Sequence, residues 1–135
     1  MKTLRVLIVE DDALLGLYLA EMLVAMGYDI CAIESTEADA VAAAIQHAPD
    51  LMIVDARLRD GSGISAVEQI LRVRPIRHVF VSGDVESVQE ARPRAVVLRK
   101  PFREKDLASA IRSASDASTI YPEPPVVRSG DRFPL

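Results

Sequence analysis

Leu51-Met52-Ile53-Val54-Asp55 is a run of four apolar residues ending on a carboxylate, and Leu4-Arg5-Val6-Leu7-Ile8-Val9 ends the same way on Glu10-Asp11-Asp12. Continuous apolar runs of this length mark strands buried on both faces, as in a parallel sheet covered by helices. The chain between them has room for a helix, a strand and another helix. In such a sheet the carboxyl ends of the strands share one rim, where the ligand crevice lies. Glu10, Asp11 and Asp55 are therefore expected on that rim. Crowded carboxylates repel one another and lose hydration. As hard oxygen donors they suit Mg²⁺, which takes one or two carboxylates together with phosphate oxygens and waters.

Working outward, Asp12 is placed to cap a helix over 13–26, with Leu15, Leu19, Met22, Leu23 and Met26 at helical spacing and Gly27 at its end. A short strand is expected over 30–33. Thr36, with Asp39 three residues on, opens an alanine-rich helix that stops before Pro49. After the strand over 51–54 come a loop with Gly61 and Gly63, then a helix over 64–73 stopped by Pro75. Strands follow over 79–81 and 95–98. The helix between them, over 84–91, is weakly specified, with Val85 and Val88 as its main apolar residues. A last helix starts near Arg103, with Leu107, Ala110, Ile111 and Ala114 on one face. This β-α alternation predicts an α/β fold, a doubly wound (βα)5 parallel five-stranded sheet with right-handed crossovers. From Ser118 the composition changes: Pro122, Pro124, Pro125, Gly130 and Pro134 interrupt any period. Residues 1–117 are expected to form the domain and 118–135 a flexible or extended tail.

Composition excludes several classes. The 135 residues suit a single core, and with half of them apolar the chain is not a disordered segment. Its apolar runs fall well short of the roughly 20 residues that cross a bilayer, and no signal-peptide pattern is present. The single Cys31 cannot form an internal disulfide, which suits a reducing, cytoplasmic setting. A net charge of −4 argues against direct nucleic-acid binding. His47 and His78 lack metal-spaced partners and are read as structural.

Two more groups fall at strand ends: Ser82, after Val79-Phe80-Val81, and Lys100, before Pro101. An aspartate can attack phosphorus to give an aspartyl phosphate. That product needs cations and donors to hold its oxygens, and Mg²⁺, a lysine and a hydroxyl supply them.

Together these residues resemble the receiver domain of two-component response regulators, over 4–114. The anchors are Glu10-Asp11, Asp55 after Ile53-Val54, Gly63, Ser82 in Phe80-Val81-Ser82-Gly83, and Lys100-Pro101-Phe102. The resemblance implies a flavodoxin-like strand order 2-1-3-4-5. It implies that Asp55 accepts a phosphoryl group from a histidine kinase or phosphotransfer protein. Asp11, Asp55 and the backbone carbonyl of Arg57 would ligate Mg²⁺, with Glu10 acting mainly through water. Ser82 and Lys100 would bind phosphoryl oxygens. An output protein would use the face of helix 4, strand 5 and helix 5, with no direct nucleic-acid or membrane contact and a homodimer as an open alternative.

The chain also departs from the family. Val97 stands where receivers usually carry the aromatic that swings with the hydroxyl residue, and Arg59 where many carry proline. The short 82–100 segment is similar to a subgroup of single-domain receivers of alphaproteobacterial stress signalling, though Ser82-Gly83-Asp84 lacks their tyrosine. Arg57 and Asp84 are expected to face each other across the site mouth and to modulate water access. Three alternatives remain: a degenerate or phosphate-sink receiver, a fragment of a hybrid kinase, or an aspartate-nucleophile phosphohydrolase. The phosphohydrolase would need an acid where Arg57 stands. A flavodoxin-like cofactor binder is disfavoured because three acids replace its phosphate loop.

Overall fold

A computed structural model of the chain describes residues 3–115. Its elements run β1 (Arg5–Val9), α1 (Ala13–Ala25), β2 (Asp29–Glu34), α2 (Glu37–His47), β3 (Leu51–Asp55), α3 (Gly63–Val73), β4 (Arg77–Ser82), α4 (Val85–Ala91), β5 (Val97–Arg99) and α5 (Glu104–Ala114). All the strands pair in parallel, in the order β2-β1-β3-β4-β5, so the chain is a doubly wound (βα)5 sheet of the expected order.

Alternation along the strands sorts the core into two layers. Val6 and Ile8 of β1 join Ile53, Val79, Leu19, Leu23 and Leu107, under α1 and α5. Leu7 and Val9 join Met52, Val54, Phe80, Ala40, Val67 and Ile70, under α2 and α3. Because β1 and β3 lie side by side, with Val9 opposite Val54, their acidic ends emerge together.

Local chemistry sets the element ends. Asp12 accepts from the N–H groups of Leu14 and Leu15, so it caps α1 as expected. Thr36 accepts from Asp39 N–H at the start of α2. Ser62 caps α3, which begins one residue earlier than its sequence pattern suggests. At Gly63 an added Cβ would overlap the backbone carbonyl of Asp55. The weak helix expected over 84–91 is the seven-residue α4, capped by Asp84.

One boundary is corrected. The strand expected over 95–98 is β5 at Val97–Arg99, because Ala95 N–H bonds to Arg92 carbonyl in the turn that closes α4. β2 and β4 extend one or two residues beyond their apolar cores, since Asp29, Arg77 and Ser82 all pair within the sheet. His78 is buried, its ring nitrogen 2.9 Å from the Ile76 carbonyl oxygen, consistent with a structural part. No helix among the described residues is long and apolar enough to cross a membrane. The expected tail, 118–135, lies outside the described residues.

Candidate functional site

The rim where β1, β3, β4 and β5 end collects most of the residues singled out in the sequence. Asp55, the last residue of β3, is 6% exposed, and Glu10, one residue past β1, only 3%. Lys100, one residue past β5, reaches between them. Its Nζ lies 2.7 Å from Asp55 Oδ2 and 3.4 Å from Glu10 Oε1. The other oxygen of Asp55, Oδ1, accepts from Arg57 N–H at 3.0 Å. Lys100 N–H in turn bonds to Ser82 carbonyl, which seats the lysine against the end of β4. The Lys100–Pro101 peptide is cis.

Asp11 sits at the outer edge of the cluster. Its Oδ2 accepts from Arg59 N–H at 2.6 Å, with the Arg59 guanidinium Nε at 3.9 Å. One carboxylate oxygen from each of Glu10, Asp11 and Asp55 lies within 4.8 Å of the others. Glu10 Oε1 is buried without a hydrogen-bond partner, while Oε2 accepts from Asp12 N–H. Three hard oxygen donors, one of them buried with only the Lys100 ammonium facing it, fit a small divalent cation of the Mg²⁺ kind.

The electrostatics follow from the packing. Burial, reinforced by the neighbouring Asp55 carboxylate, pushes Glu10 up to about 7. Burial alone would lower Lys100, but the hydrogen bond and charge of Asp55, then of Glu10, outweigh it and raise the lysine above its ordinary value. Burial is the largest single influence on Asp11 and pushes it up. The Arg59 backbone N–H, the contact with Glu10 and the Arg59 charge overcome it and hold Asp11 low. Without a metal ion, the site is thus a cluster of acids held by one lysine.

Ser82 is 8% exposed, and its Oγ accepts from Asp84 N–H at 2.9 Å. The hydroxyl hydrogen remains free to point into the crevice. Asp55, Arg57, Ser82, Gly83, Asp84 and Lys100 line a depression of about 400 Å³. Arg57 and Asp84 both line it, with the Asp84 carboxylate also accepting from Ser87 N–H. Val97 lies away from this depression: it is half-buried, pairs with Phe80 and packs on the α2-α3 layer. Asp12 and His47 stay outside the cluster, as expected.

Two contributors escape sequence reasoning. Arg59 registers only as a missing proline, and its N–H bond to Asp11 has no local signal. Glu37 reads as an ordinary first-turn acid of α2. Its carboxylate accepts from Ser62 N–H, Ser65 O–H and Gln69 side-chain N–H at 2.7–2.9 Å, across 25 to 32 residues of sequence.

A parallel (βα)5 sheet carrying acids, a hydroxyl and a lysine on one rim defines a class of doubly wound α/β domain with a polar crevice at its strand ends. The chain belongs to the response regulator receiver domain family, whose pattern matches residues 6–112. It is 39% identical over 114 residues to the transcriptional regulatory protein PdtaR of Mycobacterium tuberculosis, covering 82% of this chain and 56% of that protein. It is 28% identical to the phyllosphere-induced regulator PhyR of Methylorubrum extorquens, covering 82% of this chain and 43% of that protein. The chain thus spans about half the length of the curated relatives it matches. The solution structure of the Erythrobacter litoralis PhyR receiver domain superposes with a TM-score of 0.78 at 29% identity, covering 94% of this chain and 98% of that one. The anti-anti-sigma factor PhyR of Bartonella quintana gives 0.73 at 27% identity, over 85% of this chain and 48% of that one. The likeness to receivers of stress signalling read from the sequence agrees with these PhyR matches.

Proposed function

We propose that this domain accepts a phosphoryl group on Asp55 from a histidine kinase or phosphotransfer protein, with Mg²⁺, and that the modification switches the binding of a partner protein. The observation that carries this reading is Lys100 Nζ seated 2.7 Å from Asp55 Oδ2 and 3.4 Å from Glu10, inside a cluster that also includes Asp11. A lysine held there neutralises the acceptor before reaction and can hold a phosphoryl oxygen after it.

The chain's own groups divide the work. A lone pair on an Asp55 oxygen forms the new O–P bond as the donor's P–N bond breaks. Arg57 N–H fixes the other carboxylate oxygen and so orients the attack. Ser82, its acceptor side occupied by Asp84 N–H, donates its O–H to one transferred oxygen. Lys100 donates to another. Asp11, Asp55 and the Arg57 carbonyl would hold the metal, with Glu10 acting through water. When bound, Mg²⁺ supplies positive charge that neutralises the developing phosphoryl charge. Arg57 and Asp84, at the mouth, would set how fast water reaches the product.

Incubation with acetyl phosphate and Mg²⁺ should add one phosphoryl mass to the protein, and Asp55→Asn should abolish the addition. Modification that persists in Asp55→Asn, or with the metal chelated, refutes the reading. Val97 supports an alternative reading, a phosphate sink or shuttle. Packed on the core with no aromatic ring to swing, it offers no lever of that kind toward the output face.

The remaining assignments share this footing. We place the action in the cytoplasm, with output through the face of α4, β5 and α5, and neither nucleic acid nor membrane as a direct partner. Residues 1–117 are proposed as the autonomous domain. Truncation after 117 should leave cooperative unfolding intact, and a large loss of stability would count against that boundary.

A further inference from the structure

The loop between β3 and α3 carries the Arg57 backbone, next to the acceptor, and contains no proline to fix its course. Its first half is tied to the acids. Arg57 N–H donates to Asp55 and Arg59 N–H to Asp11. The loop is folded back on itself, with Arg57 bridged to Ser62 and Gly63 N–H bonded to Ala56 carbonyl. What fixes its second half lies on another element. Glu37, the first residue of α2, donates its backbone N–H to Asp60 carbonyl at 3.1 Å. Its Oε1 accepts from Ser62 N–H at 2.8 Å, and its Oε2 from Ser65 Oγ at 2.9 Å and Gln69 Nε2 at 2.7 Å.

Gly61 shows how close this contact is. It has a φ of +92°, and a Cβ added there would overlap Glu37 Cβ. Glu37 thus binds the end of the loop and the first two turns of α3 to the start of α2. The Ser62 and Ser65 hydrogen bonds, with that of Gln69, hold its carboxyl below the usual carboxylate range.

We infer that Glu37 is a positioning residue for the metal and phosphoryl site, bracing the β3–α3 loop so that the Arg57 carbonyl is presented to Mg²⁺ in a fixed place. The inference rests on the functional reading above, since it needs a metal at the Glu10, Asp11 and Asp55 cluster. Glu37 touches neither metal nor phosphate and acts through the loop. Groups that hold a metal's ligands in place commonly matter about 10-fold or more for affinity.

Two substitutions separate geometry from charge. In Glu37→Gln the side-chain carbonyl would still accept from Ser62 N–H. The new amide could donate to Ser65 Oγ, and Gln69 could turn its own oxygen toward it. In Glu37→Ala every side-chain tie is gone.

The test is Mg²⁺ titration of wild type, Glu37→Gln and Glu37→Ala by calorimetry well below the melting temperature, with amide hydrogen exchange at Ser62 followed in parallel. The expected result for Glu37→Ala is Mg²⁺ affinity weakened by about 10-fold and faster exchange at Ser62. Glu37→Gln should stay within about 2-fold of wild type, because its hydrogen bonds are restored. The acetyl phosphate reaction should then need more Mg²⁺ in Glu37→Ala but reach the wild-type rate at saturation. Wild-type affinity in Glu37→Ala overturns the inference and leaves the functional reading intact. Equal weakening in both variants also overturns it, since charge rather than bracing would then be the cause. A wild-type protein that takes up no Mg²⁺ overturns the functional reading itself, and this inference with it.

Discussion

Arg99 and Lys100 are adjacent in sequence, and each makes an ion pair at 2.7 Å, yet the two pairs are physically unlike. Arg99 points out from β5 to Glu86 on α4, with side chains 54% and 71% exposed. Lys100 turns inward to Asp55 and Glu10, whose side chains alone are 7% and 1% exposed. In water the outer pair gains little over separate hydration. The inner cluster has given up hydration, so its two acids depend on the one lysine between them. Distance alone does not rank an ion pair; what surrounds it does.

The largest effect that would sharpen this contrast is the loss of Lys100. Lys100→Met should destabilise the metal-free protein by about 2–4 kcal/mol, because it leaves two buried acids facing each other. Urea denaturation reads it, and an effect as small as that of Arg99→Ala would erase the contrast.

The second effect depends on pH. Glu10 is raised from 4.5 to about 7 in the fold, so between those values the folded state binds a proton that the unfolded chain has released. Stability without metal should therefore fall as pH rises from about 5 to about 7 and then level off, by up to about 3 kcal/mol. In Glu10→Gln this fall should be absent. A wild-type profile that rises instead would contradict the burial argument.

Mg²⁺ should close most of that gap. At about 100 times its dissociation constant a ligand stabilises by about 2.7 kcal/mol. Thermal melts should show an increment of this order for wild type and a clearly smaller one for Asp55→Asn. Without metal, Asp55→Asn should melt higher than wild type, because a repelling charge has been removed. Equal increments would mean that Asp55 is not part of the metal site.

The smallest effects fall on exposed cations. Arg59→Ala removes a positive side chain 3.9 Å from Asp11 and should tighten Mg²⁺ binding by about 2-fold, in keeping with the weak coupling of exposed charges. Arg99→Ala should leave both the melting temperature and Mg²⁺ affinity unchanged within error.

What the sequence makes legible follows from how far each signal reaches. Strand order and the shared rim can be anticipated because apolar runs and their acidic ends are local patterns with one packing solution. Ser82, Lys100 and Asp55 are legible because each directly ends a strand or follows its last residue. β5 starts later than its pattern suggests because Ala95 and Val96 look like strand residues, while a turn bond to Arg92 claims Ala95 first. Glu37 and the Arg59–Asp11 contact cannot be read, since their partners lie 25 to 48 residues away and nothing nearby marks them. Asp12 shows the opposite case. It is third in a row of acids and sits beside the site, yet its capping bonds are local and predictable.

At Gly63 the start of α3 lies so close to the end of β3 that no side chain fits between them. The Asp55 carbonyl forms the wall of that gap, so any replacement must shift Asp55 before it shifts anything else. Position 63 therefore acts as a gauge block between the helix and Asp55. A saturation library scored for phosphorylation should tolerate wide exchange along the outer face of α3 and almost none at its first residue. Along this helix the first residue is then limited by its backbone contact with Asp55, whereas Ala66, Val67, Ile70 and Leu71 are limited by burial in the core.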